Sequence, residues 1–160
     1  MPDDVLSIML ASGETELVDI PLYYKYVQNK RGIKKIVILD DEDGKKQIDE
    51  WAKSEHKADE KCPITVLNTK WKMPDWKEQN RLFFDSQSIN PATNQMENNW
   101  LKYRDLKVKA MLKSWDLEFK GERIPVKPEF VDKIRPEIIV ALFNKYEAET
   151  TVGEEESGKQ

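Results

Sequence analysis

The spacing of apolar residues predicts two strands in the first half of the chain, and a further segment that fits a strand or a helical turn. Residues 64–72 alternate between apolar and polar, which is typical of a half-exposed strand. Residues 36–39 are continuously apolar and mostly β-branched, which favours a buried strand. Residues 17–26 are apolar and aromatic, but Pro21 argues against a long regular element there. The apolar run 5–11 fits either a strand or one helical turn.

Helical patterns dominate the second half of the chain. The strongest one predicts a long helix over residues 96–115, whose apolar stripe contains Leu101, Val108, Leu112 and Trp115. Shorter helices are expected over residues 46–57, from Trp76 to Asp85, and over residues 136–148. Residues 86–94 are rich in Ser, Asn and Pro and are predicted to be a loop.

These elements predict an α+β fold that is mainly helical, a small domain with two or three short strands and four or so helices. Residues 1–60 form an N-terminal segment with a short strand and a helix, whose packing the pattern leaves open. Residues 61–150 are expected to form a helical globular domain. Residues 151–160 are expected to be a disordered acidic tail, because their glutamates and glycines bury too little apolar surface to offset the ordering entropy.

Composition narrows the class of protein. The 160 residues include 26 Lys and Arg against 30 Asp and Glu, which gives a net charge of −4 at pH 7. A single Cys excludes a disulfide framework, and with a single His it does not supply the usual zinc ligands. No apolar run approaches the roughly 20 residues of a membrane helix, and the first residues lack the basic charge of a signal peptide. We therefore expect a soluble cytoplasmic protein that binds no membrane.

No pattern indicates catalysis, a metal or a cofactor. Residues 41–50 match a calcium-binding loop at four positions, but the first ligand would be Leu39, which has no side-chain oxygen. A charged turn before a helix is the better interpretation. His56 and Cys62 are not accompanied by a glycine-rich phosphate loop or a serine elbow. We expect a protein that is not an enzyme, with no catalytic, metal-binding or cofactor-binding residues.

A basic segment is the basis of one alternative. Five cations between residues 25 and 35 are interleaved with tyrosines, a combination that can clamp a phosphate backbone and stack on bases. The chain as a whole is acidic, and residues 40–60 carry nine acids against four lysines. Nucleic acid is therefore not the expected partner, and a nucleic-acid-binding regulator stays the last alternative.

The tryptophans suggest a protein partner. Aromatic residues at element ends and on a helix stripe belong first of all to the core, but Trp is also enriched at binding hot spots. The candidate partner-binding residues are Trp76, Trp100, Tyr103, Met111 and Trp115.

The order of features from residue 64 to 148 carries a resemblance. A strand is followed by residues 72–76 opening a helix, a Ser/Asn-rich loop, and a long helix that ends at residues 113–117. A glycine turn with residues 124–126 and a terminal helix that begins at residues 134–138 complete the series. This series resembles tail assembly chaperones and related small tail-region proteins of tailed bacteriophages.

The resemblance implies a non-enzymatic chaperone in the host cytoplasm. Its partners would be phage tail proteins, the tape measure or tail-tube protein, during virion assembly, or copies of itself. In this family a longer frameshifted product is common, and this chain would be the shorter form. The alternative is a structural subunit of the neck, tail or baseplate that stays in the virion.

Overall fold

A computed structural model describes residues 17–151, and it contains eight strands. They are β1 (Val18–Gln28), β2 (Lys34–Leu39), β3 (Ile64–Trp71), β4 (Gln87–Asn90), β5 (Gln95–Asn98), β6 (Leu112–Trp115), β7 (Glu118–Phe119) and β8 (Glu122–Arg123). Four of them form an antiparallel sheet in the spatial order β2-β1-β3-β6. The pairs β4–β5 and β7–β8 form separate hairpins. One sheet thus joins strands from both halves of the chain.

Five helices complete the fold within residues 17–151. They are α1 (Asp41–Lys53), α2 (Trp76–Asp85), α3 (Trp100–Met111), α4 (Pro128–Val131) and α5 (Pro136–Thr150). In three of these helices, a polar side chain before the first residue caps the N-terminus by accepting a hydrogen bond from a backbone amide. Asp40 accepts a hydrogen bond from the Asp43 amide, Asp75 forms a reciprocal capping box with Glu78, and Asn99 accepts from the Lys102 amide.

The core lies between one face of the sheet and helices α3 and α5. Alternate residues of β1 and β3 point to this face, and the helices cover them. The most deeply buried members are Ile20, Leu22 and Trp71 from the sheet, with Val108, Met111, Leu142 and Tyr146 from the helices. The side chain of Tyr23 points to the opposite face, where it packs against Gly44 of α1. Helices therefore cover both faces of the central strand.

The prediction of a mainly helical fold with two or three short strands is wrong. Helices hold 40% of the described residues and strands hold 30%, with a four-stranded antiparallel sheet and two hairpins. Two segments account for the difference. Residues 86–94, predicted to be a loop, lie mostly in the β4–β5 hairpin, and residues 112–115 form β6 at the edge of the sheet.

The long helix predicted over residues 96–115 is wrong at both ends, since α3 spans Trp100–Met111 only. Leu112 and Trp115 are both buried, as their three-residue spacing on a helix stripe suggested, but they belong to a strand. A bulge explains this. Trp71 pairs with Leu112 and Lys70 pairs with Ser114, so one residue is skipped and the alternation of side chains shifts.

Two expectations about the sheet are also wrong. Residues 36–39 were expected to be a buried strand, but β2 is an edge strand whose Val37 and Ile38 are exposed. Pro21 was expected to prevent a long element, but β1 runs for 11 residues. At Pro21 the strand pairs with β3 alone, since β2 pairs only from Tyr23 onward. The carbonyl oxygen of Pro21 accepts a hydrogen bond from the Lys145 ammonium of α5. The side of β1 that lacks an N–H at Pro21 therefore faces a helix and does not need to pair with a strand.

Other predictions are confirmed. The strand over residues 64–72 is β3, and the helix that begins at Trp76 and ends at Asp85 is α2. The terminal helix over residues 136–148 is α5, and the helix expected over residues 46–57 is α1, which begins earlier and ends earlier. The apolar run 5–11 and the acidic tail from residue 152 lie outside the described residues. Among the described helices, none has the length and apolarity that a bilayer crossing needs.

Candidate functional site

Exposed apolar side chains form two groups, one around α2, α3 and the β4–β5 hairpin, and a smaller one on the β1–β2 hairpin that contains Tyr26, Val27, Ile33, Val37 and Ile38. Trp76 and Trp100, the first residues of α2 and α3, are 80% and 61% exposed. We call the set to which they belong the aromatic surface: Met73, Trp76, Phe83, Ile89, Trp100 and Leu101. Contiguous exposed apolar surface on a folded chain is typical of a protein interaction site.

Trp100 is at the centre of this surface because it lines two grooves. Groove A, with a volume of about 380 Å³, lies between α2, α3 and the last residues of α5, and its walls include Met73, Phe83 and Tyr103. Groove B, with a volume of about 470 Å³, lies between α3 and the β4–β5 hairpin, where Ile89 and Leu101 line it. The aromatic surface therefore runs from one groove to the other across the Trp100 ring.

Ring contacts hold Trp100 in place although its face is exposed. The rings of Phe83 and Tyr103 stack with centroids 4.9 Å apart, and Trp100 meets both rings edge-on, at 6.3 Å and 5.7 Å. Gln79 donates from Nε2 to the Tyr103 hydroxyl at 2.7 Å. Trp76 precedes Gln79 by three residues and Phe83 by seven, so it lies on the same face of α2. A fixed, exposed aromatic ring loses little entropy on binding.

A charged pair lines groove A below these rings. The ammonium of Lys107 is 2.6 Å from Glu147 Oε1, and its residue is only 4% exposed. The same ammonium lies over the rings of Tyr103 and Tyr146, at 5.4 Å and 5.5 Å from their centroids. Burial raises the pKa of the Tyr146 hydroxyl, which donates to the Lys72 carbonyl at 2.6 Å. The groove thus combines aromatic walls with one paired charge.

We expect Glu147→Ala to lower the free energy of unfolding by about 1–3 kcal/mol, because it leaves a buried ammonium without its carboxylate partner. Lys107→Met removes the charge but keeps the stem, so it should cost less. Asp105→Ala is the matched control, since Asp105 pairs with Lys109 at an exposed site where such pairs contribute about 0–1 kcal/mol. Urea denaturation measures all three variants. Equal losses for Glu147→Ala and Asp105→Ala would contradict the role given to the buried pair.

The structure separates the five predicted partner-binding residues into two groups. Trp100 and Tyr103 line groove A, although Tyr103 is itself buried, and Trp76 is exposed on the face of α2 that carries Gln79 and Phe83, outside the lining of both grooves. Met111 and Trp115 lie in the core, where the Trp115 indole donates to the Ile124 carbonyl at 2.6 Å.

Several residues of the site are not among the sequence candidates, and Phe83 and Lys107 illustrate why. Phe83 could have been found, because it lies seven residues after Trp76 on a predicted helix. Lys107 gives no such signal, because a lysine on a helix is usually solvated.

The other sequence features are placed as follows. The cations at Lys30, Arg31 and residues 34–35 are exposed around the β1–β2 turn. Of the tyrosines interleaved with the basic segment, Tyr26 is 54% exposed, whereas Tyr23 and Tyr24 are buried. Residues 41–50, which match a calcium-binding loop in part, lie in α1. His56 stacks on Trp51 with centroids 3.9 Å apart.

Across residues 17–151, no group of three or more His, Cys, Asp or Glu side chains is placed to hold a metal ion. In comparisons with known proteins, no family model, no curated protein and no solved structure matches the chain.

Proposed function

We propose that this chain is a non-enzymatic assembly chaperone of a tailed bacteriophage, which acts in the host cytoplasm. In this role it binds an apolar helical segment of the tape measure or tail-tube protein until assembly. The aromatic surface is the observation that carries the proposal, because it offers fixed, exposed rings to a protein partner. The resemblance of residues 64–148 to tail assembly chaperones supplies the biological setting.

The shape of the aromatic surface suits a helical client. A helix presents apolar side chains at i, i+3, i+4 and i+7, and such a row needs a groove with aromatic or aliphatic walls. Grooves A and B meet at Trp100, so neighbouring client side chains have a place on each side of that ring. Covering apolar client segments in this way keeps them from associating with each other, which is the physical task of an assembly chaperone.

Trp100→Ala is expected to weaken client binding at least about tenfold, since truncation of a central Trp anchor costs about 2 kcal/mol or more. The client is the product of the very long reading frame expected near this gene, and the flanking DNA identifies it. Affinity is measured by calorimetry with the purified full-length chain. Phe119→Ala is the matched control, because Phe119 is 64% exposed and lies on β7, outside the lining of both grooves.

Three results would contradict the proposal in different ways. Unchanged client affinity in Trp100→Ala would remove the aromatic surface from the interaction. A cellular gene neighbourhood without tail genes would overturn the phage setting. Recovery of the chain in purified particles, in a fixed ratio to tail proteins, would favour a structural subunit of the neck, tail or baseplate.

A further inference from the structure

Strand β2 has an outer edge that no strand of the described chain covers. β2 is the first strand of the sheet in space, so β1 is its one strand partner within residues 17–151. The Asn29 amide donates to the Ile33 carbonyl at 3.0 Å, which continues the β1–β2 register as a hydrogen-bonded pair. Because backbone groups alternate in direction along a strand, those of residues 33, 35, 37 and 39 point to β1. The outward groups belong to Lys34, Ile36 and Ile38.

A contact with Arg135 agrees with this direction of the backbone groups. The Arg135 guanidinium, which immediately precedes α5, donates to the Lys34 carbonyl at 3.4 Å. A contact of that length is weak, and it satisfies one acceptor only. Among hydrogen bonds between described residues, none from outside β1 reaches the backbone of Ile36 or Ile38. A strand edge of this kind is a template for pairing with another strand.

The sequence along this edge is complementary to itself in the reverse direction. Lys34 and Lys35 precede four apolar residues, and four consecutive acids follow at positions 40–43. An antiparallel copy of the strand therefore places a basic end beside an acidic end on both sides of the pair. Lys34, Lys35 and Asp40 are all exposed. Lysines on an edge strand usually oppose pairing, but here a second copy supplies the opposite charge.

One register satisfies both the backbone and the charges. In a two-fold antiparallel pair, outward-pointing residues lie opposite one another, so the axis passes through residue 36, 37 or 38. An axis at Val37 places Ile36 opposite Ile38, and Lys34 opposite Asp40, of the second copy. An axis at Ile36 would place both lysines opposite apolar residues, and an axis at Ile38 would place Lys34 opposite a residue of α1.

We propose that two copies of this chain associate through their β2 strands, antiparallel about an axis at Val37, so that two four-stranded sheets join into one. Each Lys34 ammonium then meets the Asp40 carboxylate of the second copy, and the exposed side chains of Val37 and Ile38 become covered. This inference goes beyond the proposed function, because none of residues 33–40 lines groove A or groove B. Each copy keeps its own aromatic surface outside the paired strands.

The mass of the full-length chain in solution is the first test. Sedimentation velocity from micromolar to millimolar concentration should show a species of twice the chain mass of 18.8 kDa. Lys34→Glu places like charges opposite each other at two positions, so the dimer dissociation constant should rise at least about tenfold. Lys30→Glu is the matched control, because it makes the same charge change in the turn beyond the paired residues. A monomer at every concentration, or equal effects of the two substitutions, would overturn the proposal.

A mixture of two variants tests the charge pairs directly. Lys34→Glu and Asp40→Lys each create repulsion in their own dimers, whereas a mixed dimer has one native pair and one reversed pair. Native mass spectrometry should therefore show the mixed dimer in large excess over both homodimers. Asp40 also caps α1, so circular dichroism checks the fold of Asp40→Lys. If that variant is unfolded, Asp40→Asn keeps a cap without the charge and should weaken the dimer several-fold. A statistical mixture, or an unweakened Asp40→Asn dimer, would overturn the proposal.

Val37→Cys tests the register, in a Cys62→Ser background that removes the one native cysteine. At the axis, the two copies of residue 37 have Cα atoms about 4.5 Å apart, which is within the range of a disulfide. Oxidised glutathione should therefore produce a disulfide-linked dimer. Val27→Cys is the matched control, since Val27 is also exposed but lies on β1, at least three strand spacings or about 14 Å from its equivalent. Equal cross-linking at the two positions would contradict the register and overturn the proposal.

The inference and the proposed function fail separately. A dimer that persists in Lys34→Glu but is lost in Trp100→Ala would place self-association on the aromatic surface and overturn the inference. Client binding that depends on Trp100, by a chain that stays monomeric, would support the function and overturn the inference. A dimer linked through Val37→Cys that binds no client would support the inference and overturn the chaperone function.

Discussion

Replacing Trp71 by alanine is expected to lower the free energy of unfolding by about 3–5 kcal/mol, which is a large share of a domain's total stability. The Trp71 side chain is fully buried, and its ring stacks on Tyr146 of α5 with centroids 4.6 Å apart. Its indole donates to the Thr69 hydroxyl at 2.7 Å, and that hydroxyl donates to the Ile20 carbonyl at 2.6 Å. The substitution therefore loosens β3, β1 and α5 together.

Two variants calibrate this expectation in urea denaturation. Trp71→Phe keeps an aromatic ring against Tyr146 but loses the N–H donor and part of the volume, so it should lose less stability than Trp71→Ala. Trp100→Ala removes a largely exposed indole together with its edge-on contacts to Phe83 and Tyr103, so it should lower the free energy of unfolding by about 1 kcal/mol, well below the loss in Trp71→Ala. A similar loss in Trp71→Ala and Trp100→Ala would show that the core does not depend on Trp71. The comparison also separates the tryptophan that holds the fold from the one assigned to binding.

The elements that could be predicted are those whose signal is local. β3 alternates with period two, and its buried residues Leu67, Thr69 and Trp71 follow that alternation. α2 begins after Asp75 because the Asp75–Glu78 capping box satisfies backbone donors within four residues of sequence. Neither feature depends on a distant part of the chain, so the sequence pattern is sufficient to locate both.

The elements that could not be predicted depend on distant partners. β6 is a strand because β3 offers a free edge to residues 112–115, and the bulge opposite residues 70–71 allows both Leu112 and Trp115 to be buried. The apolar spacing alone fits a helix equally well. β2 has the composition of a buried strand, but its position at the edge follows from the order of strands in the sheet. Strand order is a property of the whole fold and has no local signal.

The same distinction applies to the candidate site. Residue type alone made both Trp100 and Trp115 candidates for partner binding. In the structure Trp100 is 61% exposed, whereas Trp115 is 3% exposed. The difference arises because α3 ends at Met111 and the chain continues as a strand into the core. The contact between Phe83 and Tyr103 joins two helices that the β4–β5 hairpin separates in sequence, so groove A depends on how α2 and α3 pack and has no local signal.

Gly44→Ala is expected to destabilise the fold by about 1–3 kcal/mol, although the same change in a solvated helix stabilises it by about 1 kcal/mol. Gly44 is buried in the first turn of α1, and a Cβ added there would be 2.5 Å from Tyr23 Cβ. Tyr23 Cβ is bonded directly to the backbone of the central strand β1, so it cannot rotate away. α1 would have to move off the sheet.

A double-mutant cycle in urea denaturation tests this origin of the loss. Tyr23→Gly costs stability by itself because Tyr23 is buried, but it removes Cβ and the ring atoms that crowd residue 44. In the Tyr23→Gly background, Gly44→Ala should therefore cost much less than in the unchanged chain, and the coupling should be about 1–2 kcal/mol. If Gly44→Ala alone raises the unfolding midpoint, α1 does not rest on Tyr23, and the close approach of helix and strand would not be a constraint on this fold.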